Sequence, residues 1–105
     1  MKMKLKITVV KRISPNVVWG EEKKAPSGNV WETCTAFEDG QEFLIETPLK
    51  QPENFCGWAW RDIYKDLSVL AFGGNFPWAE PGEAITCCTD GNRPVVFKLE
   101  RLEEK

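Results

Sequence analysis

The sequence predicts an α+β domain: a mainly antiparallel sheet of about five strands, curled toward a barrel, with one helix packed on it. Three observations carry this prediction. At the start, Met3, Leu5, Ile7 and Val9 alternate with Lys2, Lys4, Lys6 and Thr8, the period-two pattern of a half-buried strand. Later, Ala59, Trp60, Ile63, Leu67, Leu70 and Ala71 recur at three- and four-residue steps with Arg61, Asp62, Lys65 and Asp66 between them, as on an amphipathic helix. Near the end, two β-prone runs, Ala84–Thr89 and Pro94–Leu102, flank Asp90-Gly91-Asn92-Arg93, a hairpin pattern.

The elements between follow from turn chemistry. Ile13 to Asn29 reads as loop, with Ser14-Pro15-Asn16, Trp19-Gly20 and Ala25-Pro26-Ser27-Gly28 as breakers, and Val17, Val18 and Trp19 are expected to fold back over the core edge. Trp31–Phe37 and Glu42–Glu46 are β-prone runs around Asp39-Gly40, which predicts a second hairpin. Asn54 is the expected N-cap of the helix and Gly73-Gly74 its stop. In the last strand Val95, Phe97 and Leu99 alternate with Val96, Lys98 and Glu100, and Pro94 takes the permitted first position. In the strand before it, Ile85 and Cys87 share one face, Thr86 and Cys88 the other. With Ile85 turned to the core, Cys88 is left for a second surface or groove.

A chain of 105 residues accommodates one core, so residues 1–105 are expected to form a single domain. Fourteen Lys and Arg against sixteen Asp and Glu leave a formal charge of −2, which argues against a nucleic-acid binder with a general basic surface. No apolar run approaches the roughly 18–20 residues that span a bilayer, so no membrane association is expected. Histidine is absent, which excludes Ser-His-Asp triads, Cys-His dyads and His-ligated metals. Lysines interrupt the apolar residues at the start, unlike the continuous stretch of a signal peptide. The expectation is a cytoplasmic protein with reduced thiols.

The four cysteines, Cys34, Cys56, Cys87 and Cys88, contain no C-x-x-C, so no zinc-ribbon or thioredoxin motif is present. Their plain role is as small buried hydrophobes. Two constellations offer more. If Asn54 caps the helix, Cys56 lies in the first turn, where unpaired N–H groups and the helix dipole favour an anion. Gly57 would allow close approach, and Trp58, off the apolar stripe, would stand exposed beside the sulfur. Cys56 is therefore the candidate reactive or ligating thiol, and Trp58 a candidate binding shelf. The alternative is a cysteine packed into the helix–sheet seam. In the second constellation, Asp90 and Arg93 bracket the turn after Cys88, either as turn chemistry or as an anion clamp. The carboxylate pairs Glu21-Glu22, Glu38-Asp39 and Glu103-Glu104 lie in loop, turn and tail, where solvated charge explains them.

Taken together, Cys34 ahead of Phe37-x-x-Gly40-Gln41-x-Phe43, then Phe55-Cys56-x-Trp58-Ala59-Trp60-x-Asp62-Ile63-Tyr64, Phe72-Gly73-Gly74 and Cys88-Thr89-Asp90-Gly91-x-Arg93-Pro94-Val95-Val96-Phe97 resemble a family of small bacterial and archaeal proteins without an established activity. The resemblance spans most of the chain and is poor over Ile13–Val30. It implies that Cys34, Cys56 and Cys88 converge. Such thiols would hold a soft metal ion, Zn(II) or Cu(I), or undergo reversible oxidation. The alternative is a non-catalytic binding module that presents Trp58 and Trp78 to a small molecule or protein partner. An enzyme with Cys56 as nucleophile would need a carboxylate or lysine base, which leaves the non-enzymatic readings ahead.

Overall fold

The alternating residues at the start and end of the chain pair with each other at the centre of the sheet. In the computed structural model, which describes residues 3–102, β1 (Lys4–Arg12) lies antiparallel to β4 (Val95–Leu102), with Ile7 opposite Leu99 and Val9 opposite Phe97. Leu5, Ile7, Val9, Val95, Phe97 and Leu99 are each 0% exposed. Adding β2 (Glu42–Glu46) and β3 (Glu83–Cys87) gives an open, wholly antiparallel sheet of order β2-β1-β4-β3. A register shift between Val9 and Lys11 marks a bulge that bends β1 just before its last two residues. Lys2 and the Glu103-Glu104 pair lie outside the described residues.

The opposite face of the sheet is laced with charge. Lys6 reaches Glu42 on one side (3.4 Å) and Glu100 on the other (3.7 Å), and Lys98 meets Glu83 (3.7 Å). Such exposed pairs add little stability, but they keep this face compatible with water.

The principal helix, Gly57–Ala71, turns Ala59, Ile63, Leu67, Leu70 and Ala71 onto the sheet. Its stop is a Schellman arrangement: Gly73 adopts φ +86°, Gly73 N–H donates to Leu70 O (3.1 Å) and Gly74 N–H to Val69 O (2.8 Å), a conformation glycine adopts without steric cost. Arg101 on β4 completes the cap by donating from Nη1 to Leu70 O (3.1 Å) and Gly74 O (2.7 Å). The N-terminus departs from expectation. Asn54 is left-handed (φ 63°) in the turn that ends with Phe55 N–H on Pro52 O, and Cys56 is the N-cap. Asn tolerates that conformation, and the turn delivers Phe55 into the core. There Phe55 meets Phe37, Phe43, Trp60 and Phe97 with ring centroids 4.9–5.9 Å apart.

Three further expectations are corrected. The sheet has four strands and stays open, because Trp31–Phe37 forms none. β2, its expected hairpin partner, keeps its outer edge unpaired among the described residues, because the segment is drawn elsewhere: Arg12 Nη1 holds the Cys34 carbonyl (3.1 Å) and Phe37 is buried in the core. A second helix, Pro15–Trp19, occupies the predicted loop. Ser14 caps it by accepting from Val17 N–H (3.3 Å), Pro15 starts it and left-handed Gly20 ends it, signals present in the sequence. It buries Pro15 and leaves Val17, Val18 and Trp19 exposed. Finally, Ala84 rather than Ile85 faces the core (3% against 61% exposed). Ala84 pairs with Leu99 where the principal helix packs on β3, a close approach that a small side chain suits. Cys88 follows Ala84 inward and is buried. Among the described residues no helix is long and apolar enough to cross a membrane.

Candidate functional site

Three segments far apart in sequence bring their cysteines to one pocket. The helices are labelled α1 (Pro15–Trp19) and α2 (Gly57–Ala71). The first segment, Cys34 to Phe37, is held by the end of β1. Arg12 donates its backbone N–H and Nε to Asp39 Oδ1 (2.9 and 3.1 Å) and its Nη1 to Cys34 O (3.1 Å). This fixes an otherwise irregular strip of chain. The Arg12 backbone N–H, then its guanidinium, hold the Asp39 carboxyl below the usual carboxylate range.

The second segment is the start of α2. Gln51 Nε2 donates to Phe55 O (2.7 Å), and the Cys56 carbonyl accepts from Trp60 N–H (2.9 Å). The Cys56 side chain makes no capping hydrogen bond, so its sulfur is not spent on the helix end. Trp58 is exposed, as its position off the apolar stripe predicts. Its ring is nevertheless tethered: Nε1–H donates to Thr89 Oγ1 (2.8 Å), and Thr89 in turn donates Oγ1–H and its backbone N–H to Asp62 Oδ2 (3.0 and 2.7 Å).

The third segment is the β3–β4 turn. Asp90 Oδ1 accepts from the N–H groups of Asn92 and Arg93 (3.0 and 3.1 Å), and Arg93 Nε donates to Asp90 Oδ2 (3.2 Å). Burial would raise the Asp90 carboxyl, but these donors outweigh it and hold it below the usual range. The turn chemistry is therefore present, and it consumes only one edge of the guanidinium. The two terminal nitrogens of Arg93 have no hydrogen-bond partner among the described residues. Cys88 pairs with Val95 through its backbone, and its sulfur accepts from Val95 N–H (3.3 Å).

Between these segments lies a cavity of about 570 Å³ walled by Cys34, Cys56, Cys88 and Phe37, with Trp58 and Arg93 also lining it. All four cysteines are free thiols, Cys34 and Cys56 half-buried and Cys88 buried. Burial pushes the Cys88 thiol up, which keeps it protonated. Cys87 is exposed and is not among the residues that line the cavity. Trp78 is also elsewhere, with its ring beside Phe76. Among the described residues no group of three or more His, Cys, Asp or Glu side chains is placed to hold a metal ion. The cavity thus gathers thiols without arranging them around one point.

Sequence reasoning missed Arg12 and Asp39, which fix the Cys34 segment, and the Asp62–Thr89 link behind Trp58. Asp62 and Thr89 stand inside the motifs quoted above, whereas Arg12 carries no local signal: its partners are more than twenty residues away. Comparison with protein-family models, curated proteins and solved structures finds no match for this chain.

Proposed function

We propose that this pocket is a thiol-exchange site in which Cys56 reacts reversibly with a small disulfide. The observation that supports it is the placing of three free thiols, from three separate segments, in the wall of one cavity large enough for a small molecule. Their roles divide by environment. Cys56 is half-buried and its side chain makes no capping hydrogen bond, so it can be reached and its sulfur is uncommitted. Cys88 is buried, protonated and bonded to Val95, so it is wall rather than reactant. Cys34 is the second accessible thiol of the pocket.

The step balances simply. The Cys56 thiol gives its proton to solvent, its sulfur attacks one sulfur of the disulfide, and a Cys56 mixed disulfide forms as the other half leaves as a thiolate. No histidine base is needed. In a cytoplasmic setting the resting protein would carry free thiols, and modification would report or buffer a more oxidising condition.

Soft-metal binding by Cys34, Cys56 and Cys88 is the competing chemistry. A Zn(II) or Cu(I) site wants its thiolates around one centre, and no three such side chains among the described residues are placed to hold an ion, which favours exchange instead. The two separate cleanly by mass. Native protein incubated with a small neutral disulfide should gain one half-reagent, and this adduct should be lost in Cys56→Ser but kept in Cys87→Ser. A stoichiometric metal on anaerobically purified protein, with no Cys56 adduct, would contradict the proposal.

A further inference from the structure

The pocket's polar side lies at Arg93, and it bears on what the exchange partner looks like. We infer that the site selects disulfides whose non-sulfur part is anionic, with Arg93 binding the anion while the sulfur reaches Cys56. This rests on the thiol-exchange reading above and goes beyond it by naming the ligand's chemistry.

Arg93 Nε is committed to Asp90, which fixes the guanidinium in the turn, while its two terminal nitrogens have no partner among the described residues. A held guanidinium with a free outer edge suits a carboxylate, which it can bind through two parallel hydrogen bonds. Arg93 also lines a second cavity, of about 660 Å³, whose wall includes Ser27, Asn29, Trp31 and Thr33. Thr35 and Arg93 border both spaces, so the two cavities adjoin at these residues. One is walled by sulfur and aromatic carbon with the Asp90 carboxylate, which is already spent on Arg93. The other is walled by hydroxyl, amide and apolar groups with one carboxylate, Glu32, so Arg93 is the only cation on either wall among the described residues. Buried in the structure, the Trp31 indole N–H lacks an acceptor, so hydrogen-bonding capacity on this side is not used up by the protein itself. A molecule with a disulfide at one end and an anionic, hydrogen-bonding group at the other matches this sequence of surfaces.

Overall charge works against such a ligand. The chain carries a formal charge of −2, which on its own would repel anions and attract cations. A preference for anionic reagents must therefore arise locally.

Three disulfides of similar reach separate the possibilities: dithiodipropionate (anionic), hydroxyethyl disulfide (neutral) and cystamine (cationic). The rate of mixed-disulfide formation at Cys56 would be followed by peptide-resolved mass spectrometry, in the native protein and in Arg93→Gln and Arg93→Lys. Because the three leaving thiols differ in acidity, each rate is divided by that reagent's rate on the urea-unfolded chain. The expected order of these normalised rates is anionic, neutral, cationic, with the anionic-to-cationic ratio falling about tenfold in Arg93→Gln and largely restored in Arg93→Lys. A loosened turn would shift all three rates together, so the ratio isolates charge recognition from structure. Equal normalised rates, or cystamine fastest after normalisation, would overturn the anion preference while leaving exchange at Cys56 standing. Failure of Cys56 to react with any of the three, under conditions where the urea-unfolded chain reacts, would overturn the exchange reading and this inference with it.

Discussion

Trp58 and Thr89 join the start of α2 to the β3–β4 turn through one hydrogen bond, Nε1–H to Oγ1 at 2.8 Å. Because Thr89 is itself held by Asp62, an exposed indole is pinned over the pocket instead of sampling solvent. Thr89→Val removes the acceptor while keeping the shape. It should accelerate hydrogen exchange of the Trp58 indole N–H and lower stability by about 0.5–1 kcal/mol, read as a urea midpoint shift at constant m-value. Unchanged indole exchange would show that the ring is not tethered.

Phe55 links core and site, since it meets four aromatic rings and directly precedes Cys56. Phe55→Ala should cost about 3–5 kcal/mol, the usual range for truncating a buried aromatic, and should speed alkylation of Cys56 beyond its native rate. Phe55→Leu should lose less of both. Calorimetry with thiol mapping on the same samples checks the coupling.

The aromatic hub also shows what was legible in the sequence. Period-two runs at both chain ends and the three- and four-residue steps of α2 are local patterns, and they marked the central strands and the main helix. Strand number was not legible, because Trp31–Phe37 has β-prone residues but is held by Arg12 on the Cys34 carbonyl and by burial of Phe37 instead of by a ladder on the open edge of β2, and those long-range contacts leave no local pattern. The face of β3 was misjudged because hydrophobicity ranks Ile85 above Ala84, while close packing under α2 ranks size. At the site, Cys56, Trp58, Asp90 and Arg93 stood out by residue type and spacing. Their supports, Arg12, Asp39, Asp62 and Thr89, act across 27 residues or more in three of the four links, beyond any local window.

The Asp39 and Asp90 carboxyls, both held below the usual range by Arg12 and by the Asn92–Arg93 donors, set the acid response. Groups with lowered folded values contribute stability that is complete above the unfolded value, about pH 4 for Asp, and is lost as pH falls through the folded value. Stability should therefore decline below about pH 4, and Asp39→Asn should flatten that decline. Amide exchange across Cys34–Asp39 should rise in the same variant, since Arg12 loses its partner. An acid limb identical to that of the native chain would rule out this role for Asp39.

Cys88 sets the alkaline response, with the opposite sign. Its folded value is raised by burial, so its contribution is complete below the ordinary thiol value, about 8.5, and fades as pH rises above that toward the folded value. Native protein at neutral pH should leave Cys88 unalkylated, and labelling should appear only with urea unfolding. Prompt labelling of Cys88 in the folded chain would contradict its burial.

The most direct test of the account compares two thiols within one molecule. Cys87 is the more exposed and stands outside the pocket, while Cys56 is half-buried within it. Exposure alone ranks Cys87 first; a site built for exchange ranks Cys56 first. Peptide-resolved rates of mixed-disulfide formation with dithiodipropionate, on native protein at neutral pH, decide between them. Faster modification at Cys56 is expected in the native chain, with the difference lost on unfolding in urea. Faster modification at Cys87 in the native chain would mean that the cysteines react as solvent access dictates, and that the pocket has no thiol chemistry of its own.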